Sequence, residues 1–284
     1  METKSSKDIN GFLYFHQGYT DIINCLSLIK YYANIYSKIY VLIREEVKPM
    51  IDFFIIDQSS VLKSEDLSIS QSSVPKITII YDSKDKLDNS NPLSYIQNCF
   101  KSEDKSSTTD LLFIGYHDKY RNDSYKNKFE SCSGNGSRNG KKRHGISFVK
   151  KFYILYDLDF NIRINYFNFI RNLKIEHEFI NKINPSESRY ILIHENESIN
   201  LRINRSFIKN PDLKIINLNG ISDMFFDTIG LIENATEIHV IDSCWMIFIY
   251  LLNHRIKLNN ISAHCIRGYN FMVNEPLLTN WQII

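Results

Sequence analysis

A chain of 284 residues is long enough for two medium-sized domains, each with its own core. Its 43% apolar and 23% charged residues are those of an ordinary globular protein. A net charge of +2 provides no global field for nucleic acid or an anionic membrane surface. The opening METKSSKDIN is polar and leads into a strand pattern, so no secretory signal is expected. The longest apolar run, Ile238 to Leu252, is interrupted by His239, Asp242 and Ser243 and is too short to span a bilayer as one helix. Cys25, Cys99, Cys132, Cys244 and Cys265 are odd in number and lack C-x-x-C spacing, which predicts reduced thiols in an intracellular protein.

In chain order, Phe12–Phe15 reads as a strand. Ile22, Leu26, Ile29, Ala33 and Tyr36 then recur at spacings of four and three, which is one face of a helix. Lys38–Ile43 is a buried strand, followed by an amphipathic stretch from Val47 to Ile56 and a Ser-rich loop over 57–75. Lys76–Tyr81 is the next strand, Asn91–Phe100 a helix with Pro92 in its first turn, and Leu111–Ile114 a fourth strand. This alternation implies a parallel sheet with right-handed crossovers.

The order breaks at His117 to Gly145, a polar stretch that reads as a connection. Its basic cluster, Arg138 to His144, reads as a solvated loop rather than a nucleic-acid patch. Phe148 to Ile183 returns to helical spacing and predicts connector helices. Alternation then resumes with strands at Tyr190–His194, Leu213–Leu218, Glu237–Ile241 and Asn260–Ile266, and helices at Met224–Asn234 and Ser243–Asn253. The expected organisation is an N-terminal Rossmann-like domain over 1–116, a polar loop over 117–145, a helical connector over 146–187 and a C-terminal Rossmann-like domain over 188–284.

Ligands of parallel α/β sheets gather outside the carboxyl ends of the strands, so the residues that follow each strand are the candidates. The first turn is His16-Gln17-Gly18-Tyr19-Thr20-Asp21. Gly18 permits a tight turn, and Thr20 or Asp21 can cap a helix whose N-terminus favours an anion. Asp21 alone reads as an N-cap, but four polar or amphipathic side chains in one turn are more than capping needs. The turn at Asp242-Ser243 opens a helix that is apolar nearly all round, and it serves equally as a plain cap or as a diphosphate site. His194 ends another strand, Arg202 and Arg205 beyond it are candidate phosphate partners or solvated surface, and Asn219 before Gly220 suits a base or ribose.

The frame HQGYTDIINCLSLIKYY resembles the H-x-G-x-G-D strand-to-helix turn of heptosyltransferase-like glycosyltransferases of the GT-B fold, in particular a group found in giant viruses and bacteria. The stretch FYILYDLDFNIRINYFNFIRN is similar to that group's helical connector, and FFDTIGLIENATEIHVIDSCW to its donor-side segment. The pieces stand in the right order and span most of residues 11–252. The resemblance implies two Rossmann-like domains in the GT-B arrangement, with parallel sheets facing a central cleft. It further implies a nucleotide-diphosphate sugar as co-substrate, a glycan or other hydroxyl acceptor, inversion, and no metal or other cofactor. A cytoplasmic setting follows, in the host cytoplasm if the protein is viral, with no transmembrane segment and no nucleic-acid partner. By the same resemblance Asp21 is the general base, His16, Gln17, Gly18 and Thr20 form the acceptor turn, and Ser243 with Arg202 and Arg205 holds the diphosphate. His194, Asn219, Asp227, Glu233 and Asp242 complete the expected donor side.

The rival motifs are weak. Asp157-Leu158-Asp159 is a D-x-D, yet it lies in the connector and not at a strand end. No G-x-G-x-x-G follows the first strand, and neither G-x-S-x-G nor H-E-x-x-H occurs. Cys244 enters a buried helix and reads as packing. A non-catalytic nucleotide- or sugar-binding relative, or a nucleotide-sugar epimerase or hydrolase, remain the alternatives.

Overall fold

The computed structural model describes residues 9–15, 18–56, 76–82, 108–114, 148–183, 189–196, 200–222, 224–266 and 280–284. The expected loop at 57–75, helix at 91–100 and polar stretch at 117–145 lie outside these, as do His16 and Gln17. The chain divides into two compact units, Met1–Phe169 and Ile170–Ile284.

In the first unit, strands β1 (Ile9–Phe15), β2 (Lys38–Arg44), β3 (Lys76–Asp82) and β4 (Thr108–Ile114) form a parallel sheet in the order β3-β2-β1-β4. Phe12 to Phe15 and Ile39 to Ile43 are buried on both faces, as parallel strands under helices must be. Helix α1 (Tyr19–Ala33) follows β1, and a 3-10 turn at Glu45–Val47 leads into α2 (Lys48–Ile56). The helix expected to reach Tyr36 stops at Ala33, where Asn34 folds its side-chain amide back onto the Lys30 carbonyl at 3.1 Å. Tyr36 lies instead against Gly11 of β1, where a Cβ would sit 2.6 Å from its ring.

The stretch expected as a separate connector is shared between the units, because its helices pack on different partners. Helices α3 (Phe148–Leu155) and α4 (Ile162–Asn165) belong to the first unit, α5 (Leu173–Ile183) to the second. Tyr153 of α3 donates to the Asn24 carbonyl at 2.6 Å, and Ser27 donates to the Arg163 carbonyl at 2.7 Å. Asp157-Leu158-Asp159 forms the turn between α3 and α4, with the Asp159 carboxylate accepting from the Asn161 amide at 2.9 Å.

The second unit holds β5 (Tyr190–His194), β6 (Lys214–Asn217), β7 (Glu237–Ile241), β8 (Ile261–His264) and β9 (Trp281–Ile283), all parallel, in the order β6-β5-β7-β8-β9. Strand β9 extends the sheet beyond β8, the last strand the sequence pattern predicts; at three residues with Gln282 in the middle it is too short to show a period. The helix expected over Met224–Asn234 is a 3-10 turn, Phe225–Thr228, running into α6 (Ile229–Glu233). Thr228 donates its hydroxyl to the Phe225 carbonyl at 2.6 Å, which tightens that first turn. Helix α7 (Cys244–Asn253) is buried from Trp245 to Leu252. Each buried aliphatic or Phe side chain contributes about 1.5–3 kcal/mol, so the turn that opens α7 stands on a firm base. No helix among the described residues is long and apolar enough to cross a membrane.

Candidate functional site

Each sheet reverses its strand order once. In the first, the chain moves outward from β1 to β2 and β3, then returns to place β4 on the other side of β1. In the second, β6 lies on one side of β5 and β7 on the other. These are topological switch points, where the connections leave opposite ways and open a crevice at the strands' carboxyl ends.

The second switch point carries a hydrogen bond between its two strand ends. His194 is the last residue of β5, Ser243 follows β7, and the Ser243 hydroxyl lies 3.1 Å from Nδ1 of His194. Ser243 is the N-cap of α7, yet its side chain makes no capping bond. The hydroxyl is turned instead to His194 across the switch point, beside the N-terminus of α7 and its dipole. Trp245 packs beside His194, with ring centroids 6.3 Å apart, and against Phe225 at 4.4 Å. His194 is 6% exposed, and its ring is held from both sides.

Next to it, the buried carboxylate of Glu195 accepts from the Ile203 amide at 2.9 Å and from the Arg205 guanidinium at 2.7 Å. An antiparallel bridge between Asn196 and Leu201 closes the same loop. Arg205 is thus fixed by its inner edge while its side chain stays half-exposed, and Arg202 lies exposed in the same segment. Past β6, the Asn217 side-chain carbonyl accepts from the amides of Glu195 and Asn219, at 3.4 and 3.0 Å. Asn219 is exposed, and Gly220 with φ +70° turns the chain beside it.

Other expected donor-side residues stand elsewhere. Asp242 is wholly buried behind the turn, so in this conformation it offers no surface to a ligand. Glu233 pairs with Arg171 at 2.7 Å, and Arg171 also holds the buried Glu176 of α5. Asp227 feels the same Glu176: burial first, then that neighbouring charge, raises its carboxyl above the usual range. Glu233, at the end of α6, is thus tied to the Arg171–Glu176 pair, and Asp227, in the turn before α6, feels the charge of Glu176. Cys244 is half-buried.

At the first switch point Gly18 is the N-cap of α1, so Thr20 and Asp21 are the second and third helical residues and not caps. Asp21 is half-buried in the first turn, where a carboxylate is favoured by the dipole. Tyr19 stacks under the Arg44 guanidinium, which comes within 5.3 Å of its ring from the end of β2.

Three further buried residues, Glu237 and His239 within one strand and His264 at the end of another, were not among the expected site residues. Glu237, His239 and His264 lie on one face of the second sheet and are 1%, 1% and 2% exposed. Glu237 Oε2 is 3.2 Å from His239 Nε2, and His239 Nδ1 is 3.1 Å from His264 Nε2. The polar Glu237 and His239 at alternate positions of an apolar strand were the available signal; their partner His264 depends on the register of β8.

No family model and no curated protein matches the chain. Among solved structures, a glycosyl transferase family 9 protein from Veillonella parvula is similar over 92% of this chain and 81% of its own, with 7% identity and a TM-score of 0.47. The E. coli heptosyltransferase WaaC, solved with ADP-2-deoxy-2-fluoro heptose, is similar over 97% of this chain and 93% of its own, with 8% identity and a TM-score of 0.40.

Proposed function

We propose that the chain is a glycosyltransferase that moves a sugar from a nucleotide-diphosphate sugar to a hydroxyl acceptor, with inversion and without a metal. The observation that carries this reading is the second switch point, where Ser243 at the start of α7 bonds His194 and the next residue along, Glu195, anchors Arg205. Hydroxyl, helix dipole and guanidinium together suit a diphosphate. The motif resemblance supplies the sugar chemistry.

In this scheme Asp21 accepts the proton of the acceptor hydroxyl as its oxygen attacks the anomeric carbon. The bond from that carbon to the diphosphate oxygen breaks, and its electron pair leaves with the nucleoside diphosphate. Ser243, Arg202, Arg205 and the start of α7 stabilise the charge that develops on the leaving oxygen. The acceptor oxygen attacks the face of the anomeric carbon opposite the departing diphosphate, so the configuration there is inverted.

The test begins with thermal shifts of the full chain against UDP, GDP, CDP, ADP and dTDP. A nucleotide held at 100 times its Kd raises the stability by about 2.7 kcal/mol. No shift with any of them overturns the reading. With the bound nucleotide's sugar conjugates, Asp21→Asn is expected to lower transfer by about 10²–10⁴-fold while nucleotide binding is kept. Transfer that survives the substitution unchanged removes Asp21 from the mechanism.

A further inference from the structure

Glu237, His239 and His264 form one hydrogen-bonded file across a buried sheet face, and the direction of its bonds can be worked out. Glu237 opens β7 at the sheet's amino edge, where its carboxylate accepts from the Lys209 amide at 3.0 Å and from the Asn210 side-chain amide. Burial alone would raise its pKa, but the bonds from Lys209, Asn210 and His239 outweigh that and hold it below the usual range. It is therefore an anion at neutral pH and can only accept.

His239 must then donate to it through Nε2–H. Both rings are kept neutral: burial lowers the pKa of His239 against the pull of Glu237, helped by the positive charges of Arg205 and Lys209. Burial, followed by the neighbouring His239, brings His264 down to about 4. A neutral His239 that donates from Nε2 has a bare Nδ1, so His264 donates to it from its own Nε2–H. The remaining nitrogen, Nδ1 of His264, carries a lone pair on the far side of Cε1 from His239. His264 is the last residue of β8, in register with Ile241, two residues before Ser243. Phe207, itself 38% exposed, lies edge-on to its ring with centroids 6.1 Å apart. The groups that face the file are Glu237 on β7, Ser262 and His264 on β8, and Arg205, Lys209 and Asn210 on the covering segment.

We propose that this file fixes His264 as a hydrogen-bond acceptor at the carboxyl edge of the second sheet, where its Nδ1 takes a ribose hydroxyl or base N–H of the bound nucleoside diphosphate. The proposal rests on the nucleotide reading given above. Glu237 and His239 are then positioning residues, since they act only through the tautomer of His264. A buried polar network ended by the same carboxylate has the same direction without a ligand, so the response of His264 to a nucleotide distinguishes the two.

Two-bond ¹H–¹⁵N spectra of the full chain labelled with [¹⁵N]histidine read the tautomers directly, with His194 and His264 assigned from the variants His194→Gln and His264→Gln. At neutral pH the free protein is expected to show His239 and His264 protonated at Nε2 alone. Glu237→Gln, whose amide can donate as well as accept, permits the reversed file and is expected to give His264 a mixture of tautomers. Protonation of His264 at Nδ1 in the free protein, or an unchanged pattern in Glu237→Gln, overturns the proposal.

ADP, UDP, GDP and CDP are then titrated in turn. A nucleotide that moves both the His194 ring and the Nδ1 resonance of His264 supports the assignment, and His264→Gln is expected to weaken its binding about fivefold. If a nucleotide moves His194 and leaves His264 still, the proposal fails and the nucleotide reading stands. If neither ring moves with any nucleotide, the site reading itself fails and the ligand assigned to His264 falls with it.

Discussion

Replacing Ser243 by alanine removes the hydroxyl that bonds His194 without touching the apolar body of α7. One neutral hydrogen bond is worth about 1 kcal/mol, so nucleotide binding is expected to weaken about fivefold while the unfolding transition moves little. Isothermal titration with the nucleotide found by thermal shift checks this, and unaltered binding would place the diphosphate elsewhere. Glu195→Leu goes further, because it strands the buried Ile203 amide and releases Arg205. A cost of about 1–3 kcal/mol in the second unit is expected, measurable by urea unfolding. At this scale the sequence placed His194 at a strand end and Ser243, Asn219 and Asp21 in the turns or helix starts beyond one, since the apolar run of each strand is plain. The roles of Glu195 and Asp242 were hidden, because burial of a polar side chain just after a strand depends on how the next loop folds over it. The surroundings of Asp227 and Glu233 were hidden for a related reason: Glu176 lies on α5 and Arg171 just before it, more than fifty residues earlier.

Helix α1 illustrates how far periodicity reaches for an element. Its apolar stripe is legible, and Ile22, Leu26 and Ile29 are fully buried. The opposite face is buried as well: Asn24, Ser27 and Lys30 are 1–2% exposed because α3, α4 and the segment after them cover it. The buried Arg163 donates to the Asn24 side-chain carbonyl at 3.1 Å and lies 4.0 Å from the Phe160 ring, while Lys30 bonds the Asn168 carbonyl above Phe54. Polar residues three apart on a helix read as a solvated face, and only tertiary partners reverse that reading. Arg163→Met keeps the volume and removes the charged bond, for an expected loss of about 1.5–3 kcal/mol in the first unit. Adding Asn24→Leu removes the partner left behind and is expected to recover part of it. Circular dichroism during urea unfolding of the three variants measures the coupling, and strict additivity would show that the pair does not interact. Helix α6 has a comparable constraint at Gly230, where a Cβ would lie 2.9 Å from Ile180 and 3.0 Å from a Glu176 carboxylate oxygen. The scarcity of glycine in this chain makes that close approach of α5 and α6 readable only from the structure.

Acid is expected to act unevenly across the molecule, because the second unit carries the buried file on β7 and β8. His239 and His264 have folded pKa values below the ordinary 6.5, so the folded state binds fewer protons than the unfolded one as pH falls through that value. Stability from these two is therefore full above about pH 6.5 and is lost progressively toward the folded pKa, about 4 for His264. Glu237, whose carboxyl is held below its ordinary 4.5, adds to the same trend only at lower pH, as the unfolded carboxyl takes up its proton. A pH of 5 lies about 1.5 units below the unfolded pKa of His264, so this ring alone removes on the order of 1 kcal/mol relative to pH 7.5 once solvent screening is allowed for. Both tryptophans, Trp245 and Trp281, belong to the second unit, so fluorescence during urea unfolding reports that unit selectively. The fluorescence midpoint is expected to fall between pH 7.5 and pH 5 in the wild type, and to fall clearly less in the double variant His239→Leu, His264→Leu. An equal fall in both would show that the acid sensitivity lies in other groups and that the file holds its protons no differently from the unfolded chain.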